Sequence, residues 1–168
     1  MIKIVGAKGN IKDVDAFLKQ VQVFAKKNNV VVQVFDADVI YGEKHLVSAA
    51  QHAIRAFERK TNTTNSLDKE ILLYASGERQ LKLAIPKMGV KKNGENVAFV
   101  FINNKKSFDT LINKLLKILS LERDDRVLEG SMEKLRKFGV TEKELGTVTK
   151  AKYGDLILEK VAMVDVIK

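Results

Sequence analysis

Two dense apolar runs bracket the middle of this chain, residues 30–35 (VVVQVF) and 97–102 (VAFVFI). Their β-branched and aromatic content predicts strands. Residues 1–5 (MIKIV) predict a third, shorter one. Nearly everything between the second and third runs has helical periodicity. The helices therefore gather between strands rather than alternating with them. That arrangement points to the α+β class: a single domain over residues 1–168, with a small mostly antiparallel sheet and a helical bulk. A length of 168 residues with 45% apolar content is enough for one real core.

The helical patterns are specific. Residues 13–28 place Val14, Phe17, Leu18, Val21, Phe24 and Ala25 on one face, with Asp13 as cap and Lys26-Lys27 at the favoured end. Residues 43–60 form the most regular stripe, Leu46, Ala49, Ala50, Ala53, Ile54 and Phe57, opposite His45, Ser48, His52, Arg55 and Arg59. Ser66 is the expected cap of a helix reaching Ser76, with Asp68 and Glu70 in its first turn. A further helix from Glu78 should bury Leu81, Ala84, Ile85 and Met88 and turn Arg79, Lys82 and Lys87 outward. Pro86, lacking an N–H, should kink or end it, and Gly89-Val90 has the pattern of a left-handed glycine stop. Gly139-Val140 repeats that stop after a short helix at 131–138. Residues 107–119 are amphipathic, Thr141-x-x-Glu144 is a capping box, and 153–164 form a last helix through Leu156, Ile157, Leu158, Val161 and Ala162.

No local pattern announces catalysis. Residues 6–10 (GAKGN) predict a loop. They lack the spacing of a phosphate loop, and Asn10 stands where a magnesium-binding hydroxyl belongs. An enzyme acting on a phosphorylated small molecule through that loop is the rival reading. His45 and His52 lie two helical turns apart, about 10.5 Å, too far for one zinc ion, and read as surface histidines. Asp124-Asp125 is flanked by Arg123 and Arg126 and reads as a self-paired solvated loop. With no cysteine there is no disulfide frame, thiolate nucleophile or cysteine metal site, and a reducing, cytoplasmic setting fits. No signal peptide or membrane-spanning run is evident, and no cofactor is implied.

Charge is more informative. The net charge is +9. Between His45 and Lys92 nine Lys/Arg stand against four Asp/Glu, so the helical bulk carries a basic excess. Such a surface suits an anionic partner, because Lys and Arg displace counterions from a phosphate backbone. A free-standing RNA-binding domain is one form this takes; a plain solvated surface is the other.

The stretches HLVSAAQHAIRAF, SLDKEILLYASGERQLKLAIPKMGV, VTEKEL and DLILEKVAMVDV resemble the small non-catalytic subunit of the KEOPS complex, the family of the eukaryotic PRPK-binding protein. Glu70 to Gly89 is the most specific part, with Pro86 a departure. The resemblance implies a fold and surface role rather than catalysis. KEOPS places a threonylcarbamoyl group on adenosine 37 of tRNAs reading codons that begin with A. Another subunit does that chemistry, assisted by a small kinase-like ATPase. The family binds and stimulates that ATPase, and archaeal members are implicated in holding the tRNA 3′ CCA end. On this footing Arg79, Lys82, Arg55, Arg59 and Lys87 are expected to contact RNA. Leu18, Val21, Leu158, Val161 and Val164 are expected to dock the kinase-like partner.

Overall fold

The computed structural model describes residues 1–104 and 108–168. Its sheet is built on β3 (Asn96–Ile102), with β2 (Val31–Asp36) on one side and β1 (Ile2–Lys8) on the other, both antiparallel to it. A two-residue edge strand, β4 (Glu122–Arg123), pairs with the end of β1 and completes the order β2-β3-β1-β4. Side chains alternate across a strand. One face accordingly presents Val97, Phe99, Phe101, Val5, Val32 and Val34, and the other presents Ala98, Val100, Ile4 and Phe35. Both faces are covered, which is why β3 reads as an unbroken apolar run rather than an alternating one.

The first face is closed by α1 (Val14–Asn28) and α5 (Asp109–Ile118), through Phe17, Val21, Phe24, Ile112, Leu115 and Leu116. The helix start expected at Ser107 lies outside the described residues. The second face carries the helical bulk: α2 (Glu43–Glu58), α3 (Leu67–Ser76), α4 (Leu81–Met88), α6 (Met132–Phe138), α7 (Glu142–Leu145) and α8 (Tyr153–Ile167). At its centre is α3, where every residue from Glu70 to Ser76 is buried. The alanines of α2 (Ala49, Ala50, Ala53, Ala56) let α2 sit close against it.

Several expectations change. Gly6–Lys8 is strand, not loop: Gly6 pairs with Ala98 and Ala7 with Val97. A Cβ on Gly6 would stand 2.7 Å from both the Asp124 carbonyl oxygen and Val127, so glycine is there for close chain approach. The break after Ser76 is longer than expected, and α4 begins at Leu81 rather than Glu78. Within α4, Pro86 is accommodated and the helix ends two residues later at Met88. Ile85 points outward and is 53% exposed, so the inward stripe is Leu81, Ala84 and Met88. The two Gly-Val stops differ. Gly139 is left-handed (φ 106), with Val140 N–H reaching back to the Leu135 carbonyl, whereas Gly89 is extended (φ −69, ψ 152) and donates to the Ile85 carbonyl. The capping box at Thr141 and Glu144 forms as read.

Candidate functional site

Four of the five cations singled out for RNA are exposed. Arg55 lies on α2 and Arg59 caps its C-terminal end; Arg79 is in the link before α4, and Lys82 is in its first turn. The two groups are separated by α3, which packs between α2 and α4. Lys87 is a correction. It turns back under α4, 3.4 Å from Glu78 and with its ammonium 3.9 Å from the centre of the Phe138 ring. Burial pushes its pKa down, opposed by Glu78. It anchors the 76–80 link rather than facing solvent.

Beside Arg55, the helical bulk holds a polar network that sequence reading missed. Glu70 is fully buried. Its Oε1 accepts from the Thr63 amide (3.0 Å) and the Lys168 ammonium (3.1 Å). Its Oε2 accepts from the amide (2.8 Å) and hydroxyl (2.6 Å) of Thr64. Burial alone would raise this carboxyl, but the Thr64 hydroxyl, the two amides and Lys168 together hold it below the ordinary carboxylate range. Glu70 thus ties the 61–66 loop and the end of α8 to α3, a tighter job than favouring a helix dipole. Ser66 occupies the cap position but makes no side-chain capping bond.

The Lys168 ammonium also lies 4.6 Å from the centre of the Tyr74 ring. The Tyr74 hydroxyl donates to Asp165 Oδ1, and His52 Nδ1–H donates to Asp165 Oδ2 at 2.8 Å. The His52 and Tyr74 rings stack with centroids 5.4 Å apart. Burial opposes ionisation of Asp165, but Tyr74 and His52 outweigh it and hold its pKa below the ordinary value. Burial and the Asp165 carboxylate push the Tyr74 phenol well above its usual range. Tyr74 is core, yet its hydroxyl organises the last turns of α8.

Neither histidine matches its surface assignment. His45 is 1% exposed. Its Nδ1 accepts from the Tyr41 amide at 3.1 Å and its Nε2–H donates to the Ala75 carbonyl at 2.8 Å. Burial lowers its pKa to about 4, so it is neutral and joins α2 to α3. His52 is half-buried in the network above.

The residues expected to dock a protein partner divide. Val21, Val161 and Val164 are core (4%, 0% and 0% exposed) and are not surface at all. Leu18 and Leu158 are partly buried. The long apolar pattern of α8 does serve two faces, but the outer one is different: Met163, Val166 and Ile167 are 44%, 72% and 43% exposed. Residues 157, 161 and 164 point in, and residues 163, 166 and 167 point out. This outer stripe runs beside the Ser76–Glu78 link, since Met163 and Lys160 line a cleft with Gly77, Glu78 and Phe138.

At the other end of β1 the phosphate-loop reading fails on geometry. The Gly6 amide donates to Asp125 Oδ1 at 2.9 Å, so the site is occupied by a carboxylate of the chain itself. Asp124 and Asp125 are paired with Arg126 (2.9 Å) and Arg123 (3.2 Å), as read. The Arg126 hydrogen bond, chiefly, holds Asp124 far below the usual range. Among the described residues no three His, Cys, Asp or Glu gather as a metal site, and no helix is long and apolar enough to cross a membrane.

The described residues form a single α+β domain whose helical layer carries the exposed cations Arg55, Arg59, Arg79 and Lys82 and whose last helix has a buried and an exposed apolar face. Residues 9–165 match the model of the kinase binding protein CGI-121 family, and the chain belongs to that family. It is 31% identical over 139 residues to the regulatory protein Cgi121 of Methanocaldococcus jannaschii, an alignment covering 81% of this chain and 84% of that protein.

Proposed function

We propose that this chain is a non-catalytic regulatory subunit of a KEOPS-type complex, which binds and stimulates its kinase-like ATPase and helps recruit tRNA through the 3′ CCA end. The observation that carries the reading is the outer stripe of α8. Met163, Val166 and Ile167 stay exposed on a helix whose inner face is already filled by Ile157, Val161 and Val164. Large exposed apolar side chains grouped on one helix mark a docking surface. The family's description as kinase-binding names the partner class. Leu158, although on the same helix, lies on another face and lines a separate groove with Tyr41 and Gly42.

In this reading Arg79 and Lys82, with Arg55 and Arg59, supply phosphate contacts for tRNA, and Lys87 acts indirectly by holding Glu78. Charge reversal at Arg79 and Lys82 should weaken tRNA binding several-fold and reduce the slope of log affinity against log salt by about 1 to 2. A binding titration with intact tRNA and with tRNA lacking CCA is the test. Equal affinity for both RNAs removes the CCA end from the reading, and an unchanged salt slope in the double variant removes this face from RNA recognition.

A further inference from the structure

The α1–α5 side of the sheet, opposite the helical bulk, carries an unfilled groove of about 530 Å³. Its floor is Phe24, and its walls are Val23 of α1 and Ile118 of α5. Val23 is 57% exposed and Ile118 45%, while Phe24 is 4% exposed. The buried cluster on this side is built from other residues of both helices, and among the described residues these two β-branched side chains stand outside it. Lys19, Lys27 and Lys114 line the rim, and no Asp or Glu is among the lining residues. Two helices with an apolar channel between them match the binding mode in which a third, amphipathic helix lays its apolar face into the channel. A rim of lysines alone selects acidic flanks on that helix.

We propose that this groove receives an amphipathic helix with acidic flanks, supplied by a partner protein other than the one that docks on α8. The surface is concave, which fits one helix and not a bilayer. Its single aromatic is buried and its cations are lysines, so the exposed aromatic or arginine plane on which nucleic-acid bases stack is missing from it. A second copy of a chain with net charge +9 brings further positive charge to a positive rim. The proposal does not rest on the kinase or tRNA reading.

The test is a ¹⁵N-¹H correlation titration of the full chain with a synthetic helix as long as α1, 15 residues. The peptide carries leucines at i, i+3, i+4 and i+7 and glutamates on the flanks. A second peptide has lysines in place of the glutamates. Phosphatidylglycerol vesicles and a CCA-ended RNA oligonucleotide are the other probes. Saturable shifts confined to α1 and α5, with affinity for the acidic peptide at least about tenfold above that for the basic one, are expected. The triple variant Lys19→Glu, Lys27→Glu, Lys114→Glu should lose about tenfold, and Val23→Arg with Ile118→Arg should abolish the shifts, with unchanged circular dichroism. Absence of saturable shifts or equal binding of the two peptides overturns the proposal. So does displacement of the peptide from these residues by vesicles or RNA, or concentration-dependent shifts of the protein alone at the same residues.

Discussion

The two sides of the sheet bury side chains in different ways. The α1–α5 side is an aliphatic and aromatic pack whose charged residues, among those described, reach solvent. On the opposite side, Glu70 and His45 lie inside the protein, and Tyr74 and Lys168 are bonded into the same layer. The first arrangement is tolerant: side chains of similar volume can replace one another there with modest cost. The second is not, since each buried polar group depends on a named partner from another segment. The side that carries the proposed docking helix is also the side where that helix is fixed by directional bonds. Glu70, Tyr74 and His52 hold the two ends of its last turn in register through Lys168 and Asp165.

The contrast breaks most sharply at Glu70. Its replacement by alanine strands the Lys168 ammonium and the Thr63 and Thr64 amides, and should cost about 3–5 kcal/mol in urea unfolding. On the other side, Lys19→Ala removes only a solvated charge and should stay within about 0.5 kcal/mol. If Glu70→Ala were as mild as Lys19→Ala, the polar layer would be decoration.

A second expected effect is on pH dependence. His45 has a folded pKa of about 4 against an ordinary value near 6.5. A depressed folded pKa means that the unfolded chain binds the extra proton first. The contribution of His45 is therefore complete above about pH 6.5 and is lost as pH falls toward 4, amounting to about 3 kcal/mol at full loss. Glu70 and Asp165 are also depressed, so their contributions are lost at lower pH still, beneath the ordinary carboxylate values near 4. His45→Gln should flatten stability between pH 6.5 and 4 while leaving the steeper acid limb in place. An unaltered profile would mean that His45 is not the group titrating there.

A smaller effect belongs to Tyr74→Phe, which removes one hydrogen bond to a carboxylate and should cost about 1.5–3 kcal/mol. Because Asp165 then loses its partner on α3, the same variant should also speed amide exchange at residues 163–168. Stability loss without faster exchange there would show that the Tyr74 hydroxyl does not hold α8.

The legibility of the chain follows the same division. Patterns repeated along one segment were readable: β3 from its unbroken apolar run, the alanine stripe of α2, the capping box at Thr141 and Glu144, and the α+β arrangement itself. What depended on a distant segment was not. The strand character of Gly6–Lys8 requires its pairing with residues 96–98. The burial of His45 requires the carbonyl of Ala75, and that of Glu70 requires the 61–66 loop and Lys168. Helical spacing sets His45 one turn before Ala49, at the edge of the alanine stripe, and α3 covers both. For α8, spacing alone did not say which apolar residues face the core and which face out. Val161 and Val164 fill the core, and Met163, Val166 and Ile167 are the exposed set.

The central claim is that the outer stripe of α8 docks the kinase-like ATPase. Calorimetric titration of that ATPase with Met163→Glu, Val166→Glu, Ile167→Glu measures it directly. These side chains are exposed, so the variant should unfold within about 1 kcal/mol of the parent chain. The account predicts that affinity falls by at least about a hundredfold and that stimulation of ATP hydrolysis is lost with it. Affinity unchanged in a folded variant would contradict the account and place the kinase elsewhere on the molecule.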